Sequence, residues 1–158
     1  MTTLLEKLSV DYPHIRFIPG NSFFWSAKTN EVQYIKDYLS SSDGTWSLLH
    51  ELGHALCNHH TYSSDVELLI LERDAWEKAR EIAMGYNLTV DENHVEDCMD
   101  TYREWLHQRS RCPRCSVNSI QKNISTYHCY NCGQIWTVTV SRFCRPYRLK
   151  AKQKARLK

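Results

Sequence analysis

The sequence lacks a long apolar run, and it lacks acidic residues in its last third. No uninterrupted apolar stretch approaches the roughly 20 residues that a helix needs to cross a bilayer, which excludes a membrane-spanning helix. The first residues do not resemble a signal peptide, so we expect a cytoplasmic protein. All 18 acidic residues lie at or before Glu104, whereas 12 of the 20 Lys and Arg follow it. This asymmetry predicts two units with different partners.

The cysteine content favours metal binding over disulfides. The chain has seven cysteines, an odd number, and four of them fall in C-x-x-C pairs. Such pairs suit metal ligation in a reducing compartment better than a disulfide framework. The length of 158 residues allows one modest domain and a small appendage, and a hydrophobic content of 42% is typical of globular proteins.

The sequence HELGH at residues 50–54 follows the pattern H-E-x-x-H. Residues four apart lie on one face of a helix, so His50 and His54 can present their imidazoles to a single ion. Glu51 lies about 100° further round and can stand beside the ion without binding it. Two histidines, a third protein ligand and a water form an open zinc site, in which Glu51 would be the general base.

Two residues compete for the role of third ligand. Glu72 is a carboxylate on an otherwise apolar helix face, which it shares with Leu68, Ala75, Ala79 and Ile82. An unpaired buried carboxylate is costly, and a bound metal would remove that cost. The alternative is His60, which gives H-E-x-x-H-x-x-C-x-x-H. This pattern is similar to the metzincin ligand pattern, except that Cys57 stands where that family has glycine.

The HELGH motif, followed by ERDAW at residues 72–76, resembles a compact gluzincin, most closely the ImmA/IrrE-type metallopeptidases. The resemblance covers about residues 1–107 and implies a helix, a small sheet, the H-E-x-x-H helix and a second helix with a glutamate ligand. It implies that His50, His54 and Glu72 bind the catalytic zinc and that Glu51 is the catalytic base. Trp76 departs from the small polar residue common at this place in the family.

A second motif has the pattern C-x2-C-x13-C-x2-C, formed by Cys112, Cys115, Cys129 and Cys132. Each pair can offer two thiolates to one ion, and four thiolates complete a tetrahedron, so this second zinc would be structural. Gly133 suits the tight turn after the second pair, and His128 is an alternative ligand. The pattern resembles a zinc ribbon, a unit so small that metal binding would supply its folding energy.

The C-terminal residues 142–158 carry eight positive charges and no negative one. The candidate phosphate-binding residues are Arg142, Arg145, Arg148 and Lys150. Aromatic residues suited to stacking on single-stranded DNA or RNA lie nearby: Tyr127, Tyr130, Trp136, Phe143 and Tyr147. The alternative roles of residues 142–158 are a solvated tail and docking onto the acidic region of the chain.

An H-E-x-x-H domain followed by a zinc ribbon also resembles, in architecture only, the SprT-like proteases that cleave proteins on DNA.

We predict an α+β fold, with a small three-stranded sheet and zincin helices, followed by a small all-β zinc ribbon and a basic tail. The predicted domains are 1–107, 108–141 and a flexible 142–158. Helices are expected at 2–11, 45–58, 64–84 with Gly85 as C-cap, and 91–108. Strands are expected at 15–18, 22–26 and 31–35, and within 120–127 and 134–140.

The function expected is that of a zinc metalloendopeptidase with two Zn²⁺, one catalytic and one structural, acting on a protein or peptide. The zinc ribbon and the basic tail would target the enzyme to its substrate or to nucleic acid. The edge of the first sheet would hold the peptide by strand addition. The residues that could stabilise the oxyanion are Tyr62, Tyr86, His59 and His60. The alternative is a nucleic-acid-binding or regulatory zinc protein whose H-E-x-x-H site is structural.

Overall fold

Residues 3–139 are described by a computed structural model. Within these residues the chain forms four α-helices and two three-stranded sheets, which confirms the α+β class. The described residues separate into two units. Unit 1 consists of 3–62 and 67–96, and unit 2 consists of 63–66 and 97–139.

The sheet of unit 1 confirms the three predicted strands, although each is slightly shorter or shifted. They are β1 (Arg16–Pro19), β2 (Phe24–Ser26) and β3 (Glu31–Tyr34). The strand order is β1-β3-β2, with β1 parallel and β2 antiparallel to β3. The short β2 is therefore an edge strand, and its central residue Trp25 is buried.

The first two helices of unit 1 begin at side-chain caps. Helix α1 (Leu4–Asp11) has a capping box between Thr3 and Glu6. Helix α2 (Ser42–Leu56) contains the H-E-x-x-H motif and starts three residues before the predicted position. The reason is that the Ser41 hydroxyl accepts a hydrogen bond from the backbone of Gly44. A 3-10 turn at Lys36–Tyr38 precedes the cap.

Two long helices follow, α3 (Asp65–Gly85) and α4 (Glu92–Ser110). The apolar stripe predicted for α3 is largely buried, with Ala75, Ala79 and Ile82 in the core. The predicted C-cap at Gly85 is wrong, because Gly85 is still helical. The left-handed residue that ends the helix is Asn87, whose φ is 57°.

The sheet of unit 2 is antiparallel and has the order β4-β5-β6. Its strands are β4 (Ile120–Asn123), β5 (Thr126–His128) and β6 (Ile135–Thr137), which match the two predicted segments to within one residue. The pairing of β4 is interrupted by an irregularity between Gln121 and Asn123. One face of this sheet is closed by Tyr127, which is 1% exposed.

A buried polar network lies under that face. The carboxylate of Asp65, the first residue of α3, accepts hydrogen bonds from Arg109 Nε at 2.7 Å and from the Tyr127 hydroxyl at 2.7 Å. Its backbone N–H donates to Gln121 Oε1 at 2.7 Å. A buried charge needs such partners, so this network ties sequence-distant parts of unit 2 together.

In the part of the chain that the structure describes, no helix has both the length and the apolar character needed to cross a bilayer. The domain division at residues 107 and 141 stays a prediction. The predicted phosphate-binding residues Arg142, Arg145, Arg148 and Lys150 lie outside the described residues, as do Phe143 and Tyr147.

Candidate metal centres

Close packing of two helices builds the first centre, which lies within unit 1. A Cβ atom on Gly53 would come within 2.3 Å of the Ala75 carbonyl oxygen, so only glycine allows α2 and α3 to approach this closely. Gly53 lies between the two histidines of the H-E-x-x-H motif, and Ala75 follows Glu72 by three residues. The contact therefore brings the histidines of α2 against the glutamate of α3.

Three side-chain atoms converge at this contact. His50 Nε2 lies 3.1 Å from Glu72 Oε2 and 3.1 Å from His54 Nε2, and the third edge, from His54 Nε2 to Glu72 Oε2, measures 3.5 Å. Ligands about 2.0–2.1 Å from a tetrahedral zinc ion lie about 3.3–3.4 Å apart. The triangle therefore has the size of one face of a zinc tetrahedron, and these three residues could hold a metal ion.

The electrostatics of the triangle also fit a cation. Burial raises the pKa of Glu72, but hydrogen bonds from His50 and His54 outweigh burial and hold that pKa well below its ordinary value. Burial lowers the pKa of His50, with the hydrogen bond to Glu72 acting against it, so the imidazole is neutral near pH 7. In the described residues no Lys or Arg pairs with Glu72. A buried carboxylate thus faces the neutral imidazole of His50 and no permanent cation among these residues, an arrangement that a metal ion would stabilise.

A helix-ending turn supplies the partner of His54. Asn58 has a left-handed φ of 56°, and the backbone N–H of His59 returns to the His54 carbonyl at 3.0 Å. The turn brings His59 Nδ1 to 2.8 Å from His54 Nδ1. Metal-binding histidines usually have such a partner on the nitrogen that faces away from the ion. His60, the alternative third ligand, is exposed with Nε2 2.9 Å from Asn58 Oδ1, outside the triangle.

His50, unlike His54, is positioned by ring stacking. Its ring stacks on the indole of Trp76, with ring centres 4.2 Å apart and planes at 29°. Its Nδ1 is buried and has no hydrogen-bond partner among the described residues, and the same is true of Trp76 Nε1. Trp76 follows Glu72 by one helical turn, so α3 provides both a carboxylate and a stacking surface for the same imidazole.

Glu51 is buried beside the triangle and has a backbone partner. The Trp25 N–H of edge strand β2 donates to Glu51 Oε2 at 2.8 Å, and the Trp25 indole N–H donates to the His59 carbonyl at 2.9 Å. The Glu51 charge acts on His50, where it opposes the lowering of that pKa. Glu51 is only 3% exposed. Trp25 thus fixes both Glu51 and the residue that contacts His54.

The four predicted oxyanion-stabilising residues have separate surroundings. The Tyr86 hydroxyl donates to Asp11 at 2.5 Å, so it is directed at α1. The His59 imidazole is directed at His54, His60 is exposed, and Tyr62 is half-buried. Of the four, His59 is brought to the ligand triangle through its contact with His54.

The second centre lies within unit 2 and consists of the four predicted cysteines. Sγ of Cys112 lies 3.6 Å from Sγ of Cys132, Sγ of Cys115 lies 3.5 Å from Sγ of Cys129, and all four sulfurs lie within 4.8 Å of one another. Sulfurs bound to one tetrahedral zinc ion are about 3.8 Å apart, so this four-cysteine site could also hold a metal. None of the six cysteines in the described residues forms a disulfide.

Two equivalent turns position these thiols. The residue after each C-x-x-C pair is left-handed, with φ of 63° at Ser116 and 75° at Gly133. Each turn is closed by a backbone hydrogen bond, from Ser116 to Cys112 at 2.9 Å and from Gly133 to Cys129 at 2.8 Å. The role predicted for Gly133 is confirmed, and Ser116 accepts the less favourable conformation at the matching position.

The clustered thiols of the four-cysteine site differ in pKa. A hydrogen bond with Ser119, together with others that outweigh burial, lowers the pKa of Cys129 to about 6. A backbone hydrogen bond with Gln134 lowers the pKa of Cys132, but burial and the neighbouring thiols outweigh it and raise the pKa to about 12. Four adjacent thiolates repel one another unless a cation lies between them, so the full thiolate set requires a metal. The His128 ring contacts Tyr130 instead of the cysteines.

Two predicted stacking residues pack against each other within unit 2. The interpretation of Tyr127 as a nucleic-acid contact is wrong, because its ring is buried and its hydroxyl binds Asp65. Trp136 stacks on Tyr127 with planes at 12°, and its indole N–H donates to the Arg109 carbonyl at 3.0 Å. Tyr130, by contrast, is 73% exposed.

Several contributing residues were not singled out from the sequence. The contacts of Trp25 and of the Asp65–Arg109 pair join residues far apart in the chain, and no local pattern marks them. Asn58 was a usable signal, because asparagine often ends a helix in the left-handed conformation and sends the next residue back. Trp76 stands out in the sequence only as a departure from the small polar residue of the gluzincin pattern, which does not indicate its contact with His50.

Comparison of the chain with models of protein families, with curated proteins and with solved structures finds no significant match.

Proposed function

We propose that this chain is a zinc-dependent metallopeptidase. The observation that supports this most is the convergence of His50 Nε2, His54 Nε2 and Glu72 Oε2 on a triangle of zinc-ligand size, with Glu51 next to it. Three protein ligands leave a fourth position for water or substrate, as in catalytic zinc sites. The gluzincin identity of unit 1 and the zinc-ribbon identity of the four-cysteine site are parts of the same proposal.

The residues of the chain then have distinct tasks. A zinc ion at this position would polarise the scissile carbonyl and make a water more acidic. Glu51 would accept the proton of that water and deliver it to the leaving amine. The Trp25 N–H would orient the Glu51 carboxylate for both steps, and His59 would hold the His54 ring in place.

The edge strand β2 suits an extended substrate. In the described residues β2 pairs with β3 alone, and its Trp25 N–H reaches Glu51. A peptide that adds to this edge as a further strand would lie alongside the general base. Inhibitory peptides are then expected to perturb the amide signals of residues 22–35, and binding without such changes would contradict strand addition.

One observation favours a second function, a nucleic-acid-binding or regulatory zinc protein in which this site is structural. Glu51, His50, His54 and Glu72 are between 3% and 8% exposed, so the ligand set is well covered. A substrate would need to displace some of the atoms that shield these four side chains from solvent, whereas a structural ion would not. Glu51 argues against this function, because a structural site needs no carboxylate beside its first ligand.

Replacing Glu51 by Gln separates the two functions. The zinc-loaded chain is incubated with a peptide library prepared from a digested proteome, and new termini are identified by mass spectrometry. The peptidase proposal expects cleavage by the wild type, and zinc retention without cleavage in Glu51→Gln. Glu77→Gln, at an exposed position of α3, is the matched control and keeps activity. Equal cleavage in Glu51→Gln, or none in the zinc-loaded wild type, would favour the second function.

A further inference from the structure

The β4–β6 sheet of unit 2 has two unlike faces. One register row lies on the closed face: Gln121, Tyr127 and Trp136. Side chains alternate along a strand, so the neighbouring row lies on the opposite face: Ile120, His128 and Ile135. Both isoleucines are exposed, at 68% and 52%. We call this second row together with Tyr130 the open face.

An aromatic pair lies on the open face. The ring of Tyr130 is 4.5 Å from the ring of His128 and tilted by 54°, and Tyr130 is the most exposed aromatic residue of unit 2 in the described residues. Three strands span about 10 Å, so the aromatic pair and the two isoleucines cover an area of a few stacked bases. Exposed apolar groups gathered in this way indicate a binding surface.

The part of the sequence that forms the open face carries positive charge. The sequence has no Asp or Glu after Glu104. Arg111, Arg114 and Lys122 lie in this part of the chain, and within residues 3–139 none of them forms an ion pair. Arg109 differs, because its guanidinium is bound to Asp65. Three cations in this unit thus have no acidic partner there, and this charge complements a polyanion.

We propose that the open face binds single-stranded nucleic acid, with bases stacked on Tyr130 and His128 and phosphates near Arg111, Arg114 and Lys122. Stacking requires bases whose faces are accessible, which a duplex does not offer. Within the described residues the face also presents no helix that would enter a major groove. The proposal deepens the targeting role given to the C-terminal region and does not rest on peptidase activity.

The test measures binding of the full zinc-loaded chain to a fluorescent 20-mer of oligo(dT) by anisotropy at 50 mM salt. Tyr130→Ala is expected to weaken binding about tenfold, the loss typical of one stacked base, whereas Tyr130→Phe keeps the ring and the affinity. Tyr38→Ala removes an exposed aromatic residue of unit 1 and is expected to change nothing. Glu51→Gln must bind like the wild type, so a failure of binding and a failure of cleavage are distinguishable.

The proposed phosphate contacts are tested separately from base stacking, by the salt dependence of the affinity. The plot of log affinity against log salt should become shallower by about 2 when Arg111, Arg114 and Lys122 are all replaced by Ala, because about 0.7 counterions are released per contact with a single strand. Tyr130→Ala should leave that slope unchanged. Wild-type affinity in Tyr130→Ala, or equal affinity for a duplex of the same length, would overturn the proposal. No binding at 50 mM salt would overturn it as well and direct attention to an acidic protein partner.

A second inference concerns unit 1 and rests on metal binding there, not on catalysis. His50 lacks the hydrogen bond that usually orients a metal-binding imidazole, because its Nδ1 has no partner among the described residues. The contact that faces its ring instead is the stack on Trp76. Trp76 is itself 3% exposed and contacts the His94 ring edge-on at 5.7 Å. We infer that Trp76 is a positioning residue that holds the His50 ring with Nε2 towards the ion.

Trp76→Phe and Trp76→Leu test this inference, because only the first keeps a ring. In the full chain, zinc affinity of the unit 1 site should fall about 10- to 100-fold in Trp76→Leu and stay within about threefold in Trp76→Phe. The absorption of bound Co²⁺ reports ligand geometry and should change only in Trp76→Leu. The four-cysteine site is the internal control. Wild-type affinity and Co²⁺ spectrum in Trp76→Leu would overturn the inference, and so would an equal loss in Trp76→Phe.

Discussion

Helix α3 carries two buried carboxylates with very different partners. Asp65 is 1% exposed and Glu72 is 4% exposed. Asp65 accepts hydrogen bonds from the Arg109 guanidinium and the Tyr127 hydroxyl. Glu72 faces the imidazoles of His50 and His54. The first carboxylate has a permanent cation from the described part of the protein, and the second does not.

This difference indicates where a metal is needed. Burying a carboxylate without a cation is costly, and unit 2 avoids that cost with an arginine. In unit 1 the basic groups that contact Glu72 are histidines, and burial lowers the pKa of His50. A divalent ion would give Glu72 the cation that Arg109 gives Asp65. The same reasoning applies to the four thiols of unit 2, which can all ionise only around a metal.

The two candidate metal centres should differ most in how much a bound metal contributes to the free energy of folding. Cys129→Ser should remove the metal of the four-cysteine site, and structural zinc of this kind contributes about 10–16 kcal/mol in zinc-finger peptides. Unit 2 then loses its β4–β6 sheet, seen as collapsed amide dispersion for residues 111–139. Cys98→Ser, outside the cluster, is the control. A sheet that persists without zinc would contradict this expectation.

The Asp65–Arg109 pair should have the next largest effect on stability, and this effect does not depend on a metal. Asp65→Asn leaves the Arg109 charge buried without its partner, which costs about 3–5 kcal/mol in comparable cases. Denaturant unfolding of the zinc-loaded chain measures the loss. The exposed pair of Arg73 and Asp74 is the matched control, and Asp74→Asn should cost less than about 1 kcal/mol. Equal effects of the two variants would remove the contrast between a buried and an exposed pair.

The helix contact that assembles the triangle should respond to a single methyl group. Gly53→Ala brings Cβ against the Ala75 carbonyl, and overpacking of this kind costs about 1–3 kcal/mol. The zinc affinity of the unit 1 site should fall too, because the helices must separate. Gly85→Ala is the control, since its Cβ meets no atom within 4 Å and alanine favours the helix by about 1 kcal/mol. Thermal unfolding of the two variants should therefore shift in opposite directions, and shifts of the same sign would contradict the close-packing account.

The smallest effect on stability is expected at the two turns that follow the C-x-x-C pairs. Ser116→Gly removes the strain of a left-handed serine and should stabilise the zinc-loaded unit 2 by about 0.5–1 kcal/mol. Gly133→Ala introduces the same strain at the matching position and should destabilise it by about 1–2 kcal/mol. Chelator titration of the four-cysteine site measures both. Shifts in the same direction would contradict the equivalence of the two turns.

The sequence predicted what local spacing determines. The four-residue interval of His50 and His54 and the two C-x-x-C pairs set ligands close together before any tertiary contact forms. Glu72 was also predictable, because a carboxylate stands out on an apolar helix face. The assignment of catalytic roles to these residues stays a proposal.

Contacts that form only where the chain reverses direction could not be predicted from local spacing. The contact of His59 with His54 depends on one left-handed residue, Asn58, and the choice between Glu72 and His60 depended on that turn. Tyr127 was misinterpreted, because its burial against Asp65 joins residues 62 positions apart. Aromatic content alone does not tell which rings of a small sheet face outwards.

The central claim is that the chain has two metal centres and that Glu72 completes one of them. Native mass spectrometry of the full chain, in the presence of a competing chelator, counts zinc ions directly. We predict two ions in the wild type, one in Glu72→Gln, and none when Glu72→Gln is combined with Cys129→Ser. Two ions in Glu72→Gln, or only one in the wild type, would contradict the account.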